Sequence, residues 1–396
     1  MTHRLRGSAL LMAALLALAA PVRAQTALSA LQTDVDQVTK KARASVVTVF
    51  AQRTATVRGA RDAQPKRRLH TRVGSGVAVE EDAILTTASV VLGAERVMVR
   101  TANGIQLDAV VAGIDPVFNV ALLRVPELRL PPIPFATGRP AQAGDWVIAL
   151  GTSYRAQPTQ SVGYVAFRFA EPRIPLLQLT NTVYPGNSGG AALNPRGELV
   201  GIVQGELASP EASLSGASDE RRPGGMSFVL PVETVRPVYQ SLRKEGRVRH
   251  GYLGVSTTAV SVTSDTEQGL EVPIGARIES VAAGGPAARL GLKPGDLVVG
   301  FDRERVEYPS QLARWVAATS PGSEVEFVWV RDDVQRTGRV ALSEAREVQP
   351  AWAAEAIPSA APDTQGDRIA EIERQIQRLN RELQSLKNKP APQSRP

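Results

Sequence analysis

The sequence predicts a mainly β protein with two β-containing domains, a short N-terminal helix and a single C-terminal helix. From Ser45 onward, short runs of β-branched and apolar residues alternate with Gly, Pro and Asn turns. That pattern, with little helix between the runs, is typical of a β-barrel or β-sandwich. After Glu245-Gly246 the pattern changes to that of a smaller α+β unit. A chain of 396 residues also exceeds the usual size of one domain.

These changes of pattern predict seven segments. They are a signal peptide (1–24), an N-terminal helix (25–44), the all-β domain (45–245), the α+β domain (246–345), an Ala/Pro linker (346–366), a coiled coil (367–388) and a disordered tail (389–396). Within the α+β domain, Gly291–Asp296 predicts a tight turn before a strand. Pro309–Thr319 predicts a helix whose buried face carries Leu312, Trp315, Val316 and Thr319.

The N-terminus has the features of a secretory signal. Arg4 and Arg6 precede an apolar run, Ala9–Ala20, and Val22-Arg23-Ala24 offers a small-residue cleavage site. An uncleaved membrane anchor is the alternative, but the run is shorter than the ~20 residues of a spanning helix. We expect an exported protein, periplasmic or secreted, with no stable membrane span.

The charge and the cysteine count limit the kinds of function. The formal charge is +7, and much of the surplus lies in Gln52–His70. This segment lacks interleaved aromatic residues and any nucleic-acid-binding motif, which favours a solvated basic loop over a polyanion-binding patch. The chain has no cysteine, which excludes thiol catalysis and thiolate metal sites. We expect no nucleic acid, metal or cofactor.

The C-terminal segment carries a heptad pattern. Apolar residues recur at alternating spacings of three and four, at Ile369, Ile372, Ile376, Leu379, Leu383 and Leu386. A strict seam of this kind favours self-association over an amphipathic helix packed on its own domain. Isoleucine at both core positions of the first heptad favours more than two strands. We therefore expect a homo-oligomer, a trimer or higher.

Several motifs, in this order, resemble the HtrA (high-temperature-requirement) family of exported serine proteases. They are Gly74–Val77, Ile84–Thr86, Gly144–Val147, Pro185–Ala191 and Gly197–Ile202, followed by Gly251–Val255 and Ala288–Leu292. The resemblance covers about residues 45–342. It implies a trypsin-like double six-stranded β-barrel followed by a PDZ domain. It does not extend to the C-terminal coiled coil.

The resemblance also places three catalytic positions, of which one is retained. The nucleophile position is Ser188, within Gly186-Asn187-Ser188, whose backbone N–H groups would line an oxyanion hole. The base position, a histidine in the family, is Ser89, and the orienting aspartate position is Asn119. A serine hydroxyl cannot act as a general base near neutral pH, and asparagine has no charge to stabilise an imidazolium.

No other residue is predicted to act as the base. His70 ends the basic loop and His250 lies at the junction between domains, and we expect both to be solvated. Lys66 lies in the same basic loop. The turn around Ser188 is then explained by packing of the second barrel, with residual binding of peptide carbonyls as the alternative.

The PDZ-like unit retains its motif. Tyr252-Leu253-Gly254-Val255 resembles the loop whose N–H groups receive a peptide's terminal carboxylate. A peptide would add as a strand beside the helix that carries Leu312 and Val316. A PDZ fold that serves only as packing between protomers is the alternative.

The resulting hypothesis is an exported HtrA-like pseudoprotease that binds peptides or unfolded proteins, chiefly through their C-termini, as an oligomeric scaffold, chaperone or regulator. Two alternatives stay open. One is an active serine endopeptidase of periplasmic protein quality control with a non-standard base. The other is a structural assembly protein that acts through its coiled coil.

Overall fold

The computed structural model describes residues 29–57, 66–153, 156–169, 175–205, 227–263 and 271–346. A helix, α1, spans residues 29–43 and leads into two closed barrels and a PDZ-like unit. The barrels and the PDZ-like unit belong to one compact unit. Residues 53–57 and 66–70 belong to a second unit.

The first barrel closes in the order β1-β2-β3-β6-β5-β4. Its strands are β1 (Val46–Val57), β2 (Lys66–Ala78), β3 (Ala83–Thr86), β4 (Arg96–Arg100), β5 (Gln106–Asp115) and β6 (Val120–Arg124). The one-turn helix α2 (Ala88–Val91) follows β3 and buries Val90 and Val91 against the barrel. The barrel interior is filled by alternate apolar residues such as Val47, Val49 and Leu123.

The second barrel closes in the order β10-β11-β12-β9-β8-β7. Its strands are β7 (Trp146–Thr152), β8 (Pro158–Phe169), β9 (Leu176–Leu179), β10 (Ala191–Leu193), β11 (Leu199–Gly205) and β12 (Ser227–Pro231). Helix α3 (Val232–Glu245) follows and ends at Gly246 in the left-handed conformation. The predicted pair of six-stranded barrels is confirmed.

One buried cluster joins the two barrels. It contains Leu85 and Leu122 of the first barrel, Leu150 and Ile202 of the second, and Leu242 of α3. Because the seam between the barrels is itself apolar core, the loops that cross it are held by packing on both sides.

The PDZ-like unit is a sheet covered by two short helices. Its elements are β13 (Gly251–Tyr252), β14 (Val255–Thr263), β15 (Glu271–Val281), α4 (Pro286–Leu290), β16 (Leu297–Phe301), β17 (Glu304–Arg305), α5 (Pro309–Ala318), β18 (Glu324–Arg331), β19 (Val334–Ala341) and β20 (Ser343–Glu344). The main sheet has the order β14-β15-β16-β18-β19, with β17 beside β16, and β13 pairs with β20.

Helix α5 agrees with its predicted pattern. Pro309 occupies the first turn, where no backbone N–H is needed, and the helix ends one residue before the predicted boundary. All four residues of its predicted face are buried: Leu312, Trp315, Val316 and Thr319. The predicted turn before β16 is also present, with Gly291 and Gly295 at positive φ.

Several predicted segments lie outside the described residues. These are the signal peptide (1–24), most of the linker (346–366), the coiled coil (367–388) and the tail (389–396), together with the middle of the basic loop at 58–65. In the part of the chain that the structure describes, every helix is too short or too polar to cross a membrane.

Candidate active site and peptide-binding edge

The turn that carries Ser188 links β9 to β10 and is anchored by the buried side chain of Asn187. The Asn187 Nδ2 donates to the Thr152 carbonyl at 2.8 Å and to Thr159 Oγ1 at 2.7 Å. Its Oδ1 accepts the Tyr184 N–H at 2.7 Å. The amide therefore ties the turn to β7 and β8, and this anchoring needs no catalytic role for Ser188.

Two glycines of the turn are required by close packing, Gly189 against the first barrel and Gly190 against β7 of the second. A Cβ at Gly189, where φ is +87°, would lie 2.1 Å from the Ser75 carbonyl oxygen. A Cβ at Gly190 would lie 2.5 Å from the Leu150 carbonyl oxygen. Ser75 completes the contact, because its Oγ donates to the Gly186 carbonyl at 2.7 Å and its N–H donates to the Ser188 carbonyl at 2.8 Å.

The N–H groups predicted for an oxyanion hole are only partly free. The Asn187 N–H donates to the Tyr184 carbonyl at 2.9 Å and is therefore occupied. Within the described residues, the N–H groups of Gly186 and Ser188 have no hydrogen-bond acceptor. Two of the three predicted donors thus remain able to bind an oxygen.

The base position, Ser89, lies in α2 and is partly buried. Its hydroxyl is 3.3 Å from Thr87 Oγ1, and its N–H donates to Asn119 Oδ1 at 2.8 Å. Arg72 secures the end of this helix by donating to the Ser89 carbonyl at 2.6 Å and to the Leu92 carbonyl. The hydroxyl can accept or donate a hydrogen bond but cannot take a proton from Ser188.

The orienter position, Asn119, bridges the two barrels through its amide. While Oδ1 accepts from Ser89, Nδ2 donates to Gln204 Oε1 of β11 at 2.9 Å. The residue has a φ of +54°, a left-handed conformation that asparagine tolerates better than most residues. Gln204 is buried, so the amide-to-amide contact is shielded from water.

The three predicted positions meet at one seam. Ser89 and Asn119 are in direct contact. Gly74 lies between α2 and Ser188, because a Cβ there would be 2.5 Å from Val90 Cγ2 and 3.1 Å from the Ser188 carbonyl oxygen. Within the described residues, no carboxylate, imidazole or amine makes a hydrogen bond or ion pair with Ser188, Ser89 or Asn119. Among the residues that the structure describes, Ser188 therefore has no hydrogen-bonded group that could accept its proton.

His250 differs from its prediction. It is only 4% exposed rather than solvated, since it packs between the β5–β6 turn and α5. Its Nδ1 is 2.8 Å from the Ala317 carbonyl oxygen. Its Nε2 is 3.3 Å from Asp115 Oδ2, an electrostatic contact in which neither atom has the alignment of a hydrogen bond. His70 is exposed, as predicted.

The pKa of His250 is raised. Burial, the largest effect, lowers the pKa, but the Asp115 carboxylate and the Ala317 carbonyl together outweigh it. The imidazole is therefore committed to a contact between the PDZ-like unit and the first barrel. It is not among the partners of Ser188.

The predicted peptide-binding residues lie on one edge of the PDZ-like sheet. Within the described residues β14 pairs only with β15, so its other edge is open beside α5. Gly254 has a φ of +86°, and its carbonyl and that of Leu253 accept hydrogen bonds from Ala282 and Ala287. The N–H groups of Leu253 and Gly254 have no acceptor in the described part of the chain.

The side chains at this edge divide into two groups. Tyr252 is 42% exposed and Val255 is partly buried. Leu253, Leu312 and Val316 are buried in the core of the PDZ-like unit and form the floor beneath the open edge. An apolar ligand side chain would have to contact this floor from above.

Sequence reasoning missed the supporting residues. Ser75, Arg72 and Gln204 hold the three catalytic positions, and Asp115 contacts His250. Two of the four had a signal: Asp115 begins the Asp-Pro-x-x-Asn segment that ends at Asn119, and Ser75 lies in the Gly74–Val77 motif. Nothing in the local sequence relates Arg72 or Gln204 to the site.

Comparisons with known proteins agree with this geometry. Residues 74–202 match the model of the trypsin-like peptidase domain, and residues 277–331 match that of the PDZ domain. Two curated relatives are named as probable periplasmic serine endoproteases, DegP-like. The one from Halomonas elongata is 32% identical over 277 residues, covering 69% of this chain and 56% of the relative. The one from Pseudomonas fulva is 31% identical over 275 residues, covering 68% and 55%.

Solved structures extend the comparison to the fold. A serine endoprotease from Yersinia pestis has a TM-score of 0.54 and 27% identity, covering 78% of this chain and 98% of that one. The HtrA-type protease AlgW with a decapeptide has a TM-score of 0.57 and 24% identity, covering 79% and 99%. The chain spans a little over half the length of the curated relatives it matches. With its trypsin-like double barrel and its PDZ domain, the chain belongs to the HtrA/DegP-like family.

Proposed function

We propose that this chain is a periplasmic, HtrA-like protein that lacks peptidase activity and binds peptides through its PDZ domain. The periplasmic location follows from the predicted signal peptide and from the names of the relatives. We further propose that it acts as an oligomeric scaffold, chaperone or regulator.

The lack of activity rests on one arrangement, the hydrogen bonds from Ser89 to Asn119 and from Asn119 to Gln204. These neutral groups occupy both positions where the family's chemistry needs ionisable ones. Because the members of a catalytic triad act as a unit, losing base and orienter leaves only binding and oxyanion contacts to lower the barrier.

The first experiment tests Ser188 directly. The purified mature protein would be treated with a fluorophosphonate probe and, separately, with fluorescent casein, beside a Ser188→Ala variant. We expect neither labelling nor cleavage above the variant's background, because an unactivated serine hydroxyl is a weak nucleophile. Labelling that disappears in Ser188→Ala would contradict the proposal and support the working endopeptidase that the relatives' names suggest.

A restoration experiment tests whether the defect is chemical. Ser89→His would place an imidazole in α2, and Asn119→Asp would supply its orienting carboxylate. The Gln204 amide can rotate to donate to that carboxylate. We expect cleavage only in the double variant, because an aspartate-to-asparagine change alone lowers the rate of a complete triad by about 10⁴-fold. Ser188→Ala in that background should abolish the recovered activity.

Peptide binding is supported by the open edge of β14 and by the two free N–H groups beside it. Strand addition with a carboxylate against backbone N–H groups is a known recognition mode. We expect micromolar binding of peptides with a free C-terminus and an apolar last residue, because the peptide must be ordered on binding.

Titration with fluorescent peptides, as free acids and as amides, would measure it. Gly254→Ala should weaken binding for two reasons. The backbone at residue 254 has a φ of +86°, which alanine adopts poorly, and the new Cβ would lie 3.3 Å from Tyr252 Cε1. Gly322→Ala is the matched control, with a φ of +83° and no atom within 4 Å. Equal affinity for acid and amide would remove the carboxylate from the proposal.

A further inference from the structure

We propose that a cavity between the two barrels is a binding site for a compact oxyanion, such as phosphate or a carboxylate. The cavity has a volume of about 270 Å³ and lies where α1, β1 and β4 face β7 and β8. It is distinct from the seam that holds Ser188 and from the edge of the PDZ domain. The proposal does not depend on the function proposed above.

The charged groups in the cavity wall are both cationic. Arg43 and Arg100 line it, and none of the described lining residues is acidic. Neither guanidinium forms an ion pair with any described residue. By contrast, Arg124 and Arg331 are both paired with carboxylates.

The two arginines are held in place by neutral partners. Arg43 donates to Gln160 Oε1 at 2.9 Å, and Arg100 donates to the Ala156 carbonyl at 2.9 Å. The Arg100 guanidinium also lies 5.4 Å from the centroid of the Phe50 ring. Each guanidinium has five N–H donors, so several remain for a ligand.

Hydroxyl groups complete the donor set. Thr48 lies opposite Arg100 across β1 and β4, and its side chain makes no hydrogen bond to another described residue. Thr159 Oγ1 accepts from Asn187 Nδ2, which leaves its own O–H free to donate. Guanidinium and hydroxyl donors around a cavity without acids match an oxyanion, because charge-assisted hydrogen bonds are the strongest such contacts.

The size of the cavity and its neighbours restrict the ligand and its effect. About 270 Å³ suits a small anion or a single terminal carboxylate rather than a nucleotide. Thr152 and Thr159 both line the cavity and both accept hydrogen bonds from Asn187. A bound anion should therefore also stabilise the turn that carries Ser188.

Equilibrium dialysis of the mature protein against radiolabelled phosphate, at constant ionic strength set with KCl, would test the site. We expect saturable binding of one phosphate per chain, and at least a tenfold rise in the dissociation constant in Arg43→Gln and in Arg100→Gln. Arg129→Gln is the control, because its side chain is 66% exposed and does not line the cavity. Competition by acetate and by a free-acid peptide would distinguish a phosphate ligand from a carboxylate one.

Thermal melting gives a second readout. Phosphate should raise the melting temperature with the logarithm of its concentration, more than chloride does at equal ionic strength. If Arg100→Gln does not fold, Arg43→Gln on α1 carries the test. Equal phosphate binding in wild type and Arg43→Gln, or no binding beyond that of chloride, would overturn the proposal.

Discussion

Replacing Gly189 by alanine tests why the chain has a protease-like turn around Ser188. If the turn is kept for packing, Gly189→Ala should unfold the protein more easily, whereas Ser188→Ala should leave its stability nearly unchanged. If it is kept for chemistry alone, the two changes should affect stability alike. The structure predicts the first outcome.

The magnitude follows from two contributions. A left-handed conformation at φ +87° costs a non-glycine residue about 1–2 kcal/mol. The new Cβ would also lie 2.1 Å from the Ser75 carbonyl and 2.5 Å from Thr86 Oγ1. Overpacking of this kind costs about 1–3 kcal/mol. Together the free energy of unfolding should fall by about 2–5 kcal/mol, while Ser188→Ala should change it by less than about 0.5 kcal/mol.

Thermal and urea unfolding followed by circular dichroism would measure this, with Gly93→Ala as the matched control. Gly93 has a φ of +69° and no atom within 4 Å of a new Cβ, so it reports the conformational cost alone. For a domain of this size we expect a drop of at least about 4 °C in the melting temperature of Gly189→Ala. A Gly189→Ala protein no less stable than Gly93→Ala would refute the packing argument.

Three further predictions concern the rest of the molecule. The raised pKa of His250 means that its contact with Asp115 stabilises the protein fully below about pH 6.5. That stabilisation is lost as the pH rises through the raised value, so the pH dependence of melting should flatten in His250→Gln. Burial raises the pKa of the Asp296 carboxyl, but two hydrogen bonds from Arg331, at 2.6 and 2.7 Å, help to bring that pKa below its usual value. The contribution of Asp296 to the free energy of unfolding should be full above about pH 4 and should be lost as the pH falls below that. Asp296→Asn should lower the free energy of unfolding, measured with urea at pH 7, by about 3 kcal/mol. A chain ending at Gln365 should form smaller or less stable oligomers by light scattering, because it lacks the predicted coiled coil.

A specific result would contradict each of these three predictions. A pH dependence of melting in His250→Gln equal to that of the wild type would exclude the His250 contact as its source. An Asp296→Asn protein as stable as wild type at pH 7 would contradict the buried ion pair. Equal mass and equal dissociation on dilution for the full and truncated chains would remove the coiled coil as an assembly element.

Local sequence patterns predicted most of the fold. The pattern of short strands and turns agrees with the two barrels, and apolar spacing identified the buried face of α5. The identities of Ser89 and Asn119 are read directly from the sequence, and they are the basis for proposing that the family's base and orienter are missing. These features are readable because periodicity and residue type are properties of neighbouring positions in the chain.

The tertiary structure decided which contacts the residues of the candidate site make. The Asn119–Gln204 contact joins residues 85 positions apart, and Ser75 meets Gly186 across 111 positions. His250 is buried against Asp115 and Phe118, more than 130 positions earlier in the chain, which no local pattern indicates. The sequence by itself determined which chemical groups are present at each position. Only folding determined which of those groups touch, because hydrogen bonds and burial at the seam depend on distances between segments that are remote in the chain.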